Sequence, residues 1–329
     1  MVAYLTRRVF VAIGTVLVLS VVSFAFIQLP PGDFVTAYVQ ELEGMGDVVS
    51  ADEEEQLRDM FGLNQPFLVQ YFKWMLRMAG GDFGFSMEYR RPVAEVIGDR
   101  LWLTVVVAAA AVVFVWVVAL PIGIFSANRQ YSFADYLFTF LGFIGLAIPN
   151  FLLALVLMYF AFRYFNVNVT GLFSPEYVTA PWSLAKVADM LGHLWVPALV
   201  LGTAGTATLI RIMRANLLDE LRKPYVVSAR ARGMKESRLI VKYPVRVALN
   251  PFASTIGYIL PFIVSGSIIV SVVLSLPTVG PLLLRALLSQ DMFLAGTIIL
   301  LIGAMTVAGT LISDILLMLI DPRIRFEGR

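Results

Sequence analysis

The sequence predicts an all-α polytopic membrane protein with six transmembrane helices, and three observations carry that prediction. The first is composition: 59% of the 329 residues are hydrophobic and 15% charged, against about 45–50% and about 25% in soluble domains. The second is distribution, because a mean hydropathy of +0.82 over the whole length cannot come from one targeting segment. The third is that six stretches without Asp, Glu, Lys or Arg, at 9–32, 101–128, 136–162, 190–210, 247–284 and 292–313, are each long enough to cross a bilayer, which takes about 20 residues. Together these exclude a soluble globular domain, a disordered chain and a nucleic-acid-binding protein. The absence of cysteine excludes disulfides, thiolate zinc, iron–sulfur clusters and a cysteine nucleophile.

The first stretch follows Arg7 and Arg8 and is longer than the apolar core of a signal peptide, about 7–15 residues. It reads as an uncleaved helix, so residues 1–29 form the N-terminus and first span. With six crossings, both termini share one side. Placing that side in the cytoplasm puts sixteen of the 25 basic residues inside, as the positive-inside rule requires. The loop at 30–100 then lies outside with thirteen of the 23 acids.

That outer loop is large enough to fold. Ser50 followed by Glu53 is a capping box and Gly62 a stop, so 51–61 reads as a short acidic helix. From Pro66 onward, Phe67, Leu68, Tyr71, Trp74, Met75 and Met78 share one helical face until Gly80-Gly81 ends the pattern. Such a helix either lies on the outer membrane surface or packs on the protein's own spans. Residues 101–320 form a five-helix core with prolines at 121, 149, 197, 251 and 261, which bend membrane helices and often flank a transport path. Residues 321–329 form a cytoplasmic tail.

Several chemistries are missing. None of the five lysines follows a glycine, so no P-loop is present and any ATP must be hydrolysed by a partner. His193 is the only histidine, which rules out multi-histidine metal sites. Two other readings have sequence support. His193 with Ser265 or Ser267 would make an intramembrane hydrolase. Asp314, the one acid deep in a span, would serve an ion-coupled secondary transporter, or else have a structural partner.

The inner loop from Arg211 to Arg246 has ten basic residues and three acids, yet also Tyr225, Val226, Val227, Ala229, Ala231, Met234, Leu239 and Ile240. Pro224 can open a helix, Gly233 can close it, and a second helical run follows. This is a helix–glycine–helix foot, which either docks on a partner or meets anionic lipid.

Tyr225, Ser228-Ala229-Arg230-Ala231-Arg232-Gly233, Arg246 and Asn250-Pro251 resemble the coupling loop, within 211–250, of permease subunits in bacterial peptide-type ABC importers. The likeness continues in Tyr4-Leu5, Pro31-Gly32-Asp33, Leu63-Asn64-Gln65-Pro66, Gly81-Asp82-Phe83-Gly84, Arg91-Pro92-Val93 and Asp321-Pro322-Arg323-Ile324-Arg325. Order and spacing are similar to the first of the two permeases of oligopeptide, dipeptide and nickel systems. Of the broad importer pattern E-A-A-x3-G only Ala229 and Gly233 match, with Val227 at the glutamate position and Ser228 at the first alanine. The 41–55 stretch is longer and more acidic than in that family.

The resemblance implies a type I importer permease fold and half of an alternating-access pathway in a bacterial inner membrane. It also implies four kinds of partner: a second homologous permease, two cytoplasmic ATPase subunits, an extracytoplasmic substrate-binding protein and membrane lipid. ATP and Mg would be bound by the ATPases and no cofactor by this chain. On the same basis Ala229 and Gly233 would allow close docking, Arg230 and Arg232 polar contact with the ATPase, and Tyr225 anchoring beside Ser228.

Overall fold

The computed structural model describes residues 2–28, 34–44, 49–250, 252 and 268–320. The chain runs through α1 (Val2–Gln28), α2 (Phe34–Gly44), α3 (Ala51–Phe61), α4 (Phe67–Ala79), a two-stranded hairpin β1 (Phe85–Ser86) and β2 (Arg91–Pro92), then α5 (Val93–Asn128), α6 (Phe133–Ala147) and α7 (Asn150–Phe165). It continues through α8 (Leu184–Leu221), α9 (Pro224–Ala231), α10 (Glu236–Lys242), α11 (Pro244–Ala248), α12 (Val279–Leu288) and α13 (Met292–Ile320).

Four of these helices, α1, α5, α8 and α13, are long and apolar enough to span a membrane, and α6 with α7 forms an apolar pair bent by 104° that counts as a fifth if taken as one span. Sequence reading treated 136–162 as one helix. Pro149 cannot donate a backbone hydrogen bond and forces the preceding residue out of helical geometry; Ile148 accordingly has ψ of 122°. The expected span at 247–284 lies largely outside the described residues, as do Pro251 and Pro261. Its last part, α12 after the Pro277 turn, is a short helix rather than a continuation. The long helices overrun the charge-free stretches, α5 starting at Val93 and α8 reaching Leu221. Only the lipid-exposed part of a helix must avoid charge.

The centre is the pairing of α5 with α8. Gly123 faces Met213 and Gly202 faces Phe114 so closely that a Cβ on either would stand 2.6 Å from the neighbouring side chain. Small residues let membrane helices approach to this degree. Because 114 meets 202 and 123 meets 213, the two helices run parallel. The chain must therefore return between them, and the bent α6–α7 pair makes that return. Ala111, Val115, Ala119, Val200, Leu209 and Met213 are buried along this seam.

The parallel pair defines two ends. At one end lie the turn at 129–132, the lower part of α8 and α9–α11; at the other lie α3, α4, the hairpin and the α12–α13 turn. Arg8 Nε of α1 stands 3.2 Å from Asp314 Oδ2 of α13 near the first end. At the other end Ser50 and Glu53 form the capping box on α3 and Gly62 closes it at φ 69°. Helix α4 packs inward: Tyr71 and Trp74 are buried against Phe24 of α1 and Leu300 of α13, and the Tyr71 hydroxyl meets Ser20 Oγ at 2.8 Å. Of the two readings of this amphipathic helix, packing on the spans accounts for its Tyr71–Trp74 face.

Candidate functional site

The foot at 224–248 is built as its sequence dictates. Pro224 opens α9, and Gly233 reverses the chain at φ 74°, where a side chain would be strained. Tyr243 separates α10 from α11, which Pro244 opens. Apolar residues facing inward fix these three short helices to α8. Val226, Ala229, Leu239, Ile240, Val245 and Ala248 are all buried, in one core cluster with Leu217 of α8. Burying side chains of the larger kinds contributes about 1.5–3 kcal/mol each, so the foot is a packed unit.

That packing corrects one expectation. Ala229 has no exposed surface; its methyl fills the foot's interior, and it cannot offer close approach to another chain. The opposite faces of α9 and its turn do reach the surface: Tyr225, Ser228, Arg230, Ala231, Arg232 and Gly233 are exposed together. The residue spacing explains the difference, since 226 and 229 share one helical face and 225, 228 and 232 another. No neighbouring atom lies where a Gly233 Cβ would stand.

Two of these side chains are held in place. The Tyr225 hydroxyl donates to the Glu220 carboxylate at the end of α8, and its ring lies 6.4 Å from that of Tyr243. Burial of the phenol and the adjacent carboxylate push Tyr225 up to about 12. Arg230 Nε donates to Glu236 Oε2 at 3.0 Å, bridging α9 and α10. The guanidinium holds the Glu236 carboxyl below its usual range. Arg232, Lys235 and Arg238 line a groove with Gly233, Met234 and Tyr243, giving this flank a strongly basic surface.

Sequence reading missed the pair that fixes the neighbouring helix. Asp135, 2% exposed, takes both Nε (3.0 Å) and Nη2 (2.9 Å) of Arg214, and the Tyr131 N–H at 3.0 Å. This ties the first turn of α6 to α8 a few turns before the foot. The partners are 79 positions apart, so no local pattern announces them. At the opposite end Asp291 is fully buried, accepting from Ser86 Oγ (2.6 Å), Glu88 N (3.2 Å) and Leu294 N (3.1 Å). It caps α13 and anchors the hairpin. Its signal was present in sequence as an aspartate just before an apolar helix.

The residues of the competing readings are occupied otherwise. His193 Nδ1 stands 2.8 Å from the Asp189 carbonyl one turn back on its own helix, while the Asp189 carboxylate accepts from Ser174 N and Oγ. Ser265 and Ser267 lie outside the described residues. Asp314 has the structural partner Arg8. The described residues contain no cluster of His, Asp or Glu able to hold a metal ion. The motifs at 31–33 and 321–325 also lie outside the described residues.

Comparison with known proteins matches this architecture over its whole length. A family model described as binding-protein-dependent transport system inner membrane component covers residues 119–326, and the N-terminal model of the corresponding membrane component covers 1–108. The chain is 36% identical over 327 residues to the oligopeptide transport system permease protein AppB of Bacillus subtilis, covering 99% of this chain and all of the relative. It is 28% identical over 343 residues to the dipeptide transport system permease protein DppB of Escherichia coli, and 30% identical over 331 residues to the glutathione transport system permease protein GsiC of Salmonella paratyphi A. Each of those alignments spans 99% of this chain and the full relative.

Proposed function

The chain belongs to the binding-protein-dependent transport system inner membrane components, and from that premise we propose that it imports peptides as one of two permeases around a shared path. It is a transport subunit of an ABC importer and not an enzyme, and the energy of transport comes from ATPase partners. The proposed assembly holds a second homologous permease, two ATPase subunits that bind ATP and Mg, and a binding protein on the outer side. Membrane lipid surrounds the spans. Peptide as substrate draws its support from the oligopeptide and dipeptide relatives.

The observation that carries this reading is the foot: a rigid, outward-facing basic surface seated on the end of the central α8 helix. We place it in the cytoplasm with both termini, which agrees with sixteen of the 25 basic residues falling on that side. There Tyr225, Ser228, Arg230, Arg232 and Gly233 form the ATPase-coupling surface, and Ala229 supports it from within. Closure of the ATPases moves the foot. Because the foot is packed on α8, and α8 is locked to α5 and to α6, that movement passes into the span bundle as rigid-body rocking between inward-open and outward-open states.

Affinity purification of the tagged chain from its native membrane in mild detergent, with mass spectrometry of every co-purifying chain, tests the assembly. Recovery of a second permease and P-loop ATPases is the expected result. Reproducible recovery of this chain alone, folded, would overturn it.

A further inference from the structure

Helix α4 is too short to be a span, yet it packs against two spans at membrane depth. The rings of Phe67, Tyr71 and Trp74 pack around Phe24 of α1, with centroids 5.2, 5.6 and 5.4 Å away. The Tyr71 hydroxyl meets Ser20 Oγ at 2.8 Å, and Trp74 shares a buried cluster with Leu300 of α13. Ser20 and Phe24 fall inside Thr6–Ala25, the part of α1 able to cross a membrane, and Leu300 falls inside the corresponding part of α13, Met292–Leu316. A bilayer that holds those two stretches also reaches α4.

Two side chains adjacent in sequence fix how α4 is turned about its own axis. Gln70 Oε1 accepts from Gln28 Nε2 at 2.6 Å, past the end of the α1 span, whereas Tyr71 meets Ser20, about 12 Å deeper at 1.5 Å rise per residue. One flank of α4 thus looks out of the bilayer and the other into it. At about 100° per residue, Gln70, Lys73 and Arg77 gather on the outward-looking flank and Tyr71, Trp74 and Met78 face the spans. Leu68, Phe72 and Leu76 gather on the remaining flank, turned toward the membrane interior, and are 64%, 60% and 73% exposed.

A bulky apolar stripe at hydrocarbon depth, backed by a charged flank, is the pattern of an interfacial helix. We propose that α4 is seated in the lipid leaflet on its side of the membrane, the outer leaflet in the proposed orientation, with Leu68, Phe72 and Leu76 among the acyl chains of phospholipid. The charged flank then meets the headgroups. The stripe adjoins other exposed apolar residues of a span, since Val18, Val21 and Val22 flank Ser20 and Phe24 on α1. Its composition argues for lipid over a second protein chain. Membrane helices that meet protein use small residues to approach closely, as the α5–α8 seam does, and the protruding members here are Leu, Phe and Leu. The lobe of α3 and α4 is therefore held by the bilayer as well as by α1 and α13.

The chain has no cysteine, so single nitroxide labels can be placed at will. The test labels Leu68→Cys, Phe72→Cys, Leu76→Cys, Lys73→Cys and Arg77→Cys one at a time, in the complete importer with its other chains made cysteine-free, in nanodiscs of phosphatidylcholine and phosphatidylglycerol. Collision of each label with oxygen, which concentrates in hydrocarbon, is compared with collision with a water-soluble nickel chelate. Oxygen dominant at 68, 72 and 76, at a depth of about 5–10 Å, with nickel dominant at 73 and 77, supports the proposal. Nickel dominant along the stripe would overturn it. Exclusion of both reagents there would also overturn it, in favour of a protein neighbour. A second measurement leaves the chain unaltered: phosphatidylcholine with a diazirine in its acyl chain is photolysed in the same nanodiscs, and adducts are mapped by mass spectrometry. Adducts on Leu68, Phe72 or Leu76 support the proposal; adducts on Val18–Val22 of α1 with none on α4 would overturn it.

Discussion

Asp135 and Asp291, at opposite ends of the helix bundle, are both almost wholly buried, and they are satisfied in different ways. At the foot end Asp135 is paired with a guanidinium that grips both oxygens. At the opposite end Asp291 receives one hydroxyl and two backbone N–H groups. A bidentate ion pair between two long helices fixes their relative position in several directions at once. Neutral donors from a small hairpin hold a lobe onto the bundle without stiffening the bundle itself. On the proposed reading, the foot end transmits movement and the opposite end carries an attached surface.

The contrast can be broken most sharply at Gly233. Gly233→Trp combines a disfavoured backbone conformation with bulk on the exposed turn; ATP-driven uptake in proteoliposomes should fall about a hundredfold, as misplacement of a coupling surface implies. Gly233→Asn, which tolerates the left-handed conformation, should retain most of it. Uptake unaffected by tryptophan would remove the foot from the coupling path. Next in size is Asp135→Ala, which leaves Arg214 unpaired and should cost about 3 kcal/mol of stability in thermal unfolding of the solubilised complex. Asp291→Ala strands three donors at about 1 kcal/mol each, and should free the hairpin to protease while uptake per folded complex changes little. If Asp291→Ala instead uncouples ATP hydrolysis and Asp135→Ala does not, the assignment of the two ends is reversed.

Smaller effects come from titration at the foot. The Tyr225 phenol is raised from its ordinary value of 10.0 to about 12, so its bond to Glu220 stabilises the folded state fully below pH 10. That contribution is lost as pH rises toward about 12. Tyr225→Phe should remove this alkaline loss and lower stability at neutral pH by at most about 1 kcal/mol. Glu236 titrates below its ordinary value of 4.5, so its pairing with Arg230 helps above that pH and fades as pH falls further. Both side chains are half exposed, and Glu236→Gln should change stability by less than about 1 kcal/mol.

What sequence revealed and what it hid divide along the same physical line. The bounds of α3 and α4, and the glycine reversal of the foot, were legible because capping boxes, helical periodicity and left-handed glycines act within a few residues. The inward turn of Ala229 was not, since a small residue on an amphipathic segment suits either face until its neighbours are placed. The bend after Ala147 had a visible cause in Pro149, but proline occurs equally at 121 and 197, inside helices that continue through it. Neighbouring helices decide which proline breaks a span. The pairing of Asp135 with Arg214 depends wholly on the fold.

The parallel contact of α5 with α8 also sets a timetable for biosynthesis. Gly123 meets Met213, 90 positions further along the chain, so at about 5–20 residues per second the ribosome needs roughly 5–18 s to deliver the partner after α5 has entered the membrane. During that wait the side of α5 that will meet α8 lacks its partner, and α5 is the most apolar of the long helices. The least apolar is α8, which is also the most enclosed. It arrives when a receiving surface is already in place, so the order of synthesis lets the more polar helix enter the bilayer against protein instead of against hydrocarbon.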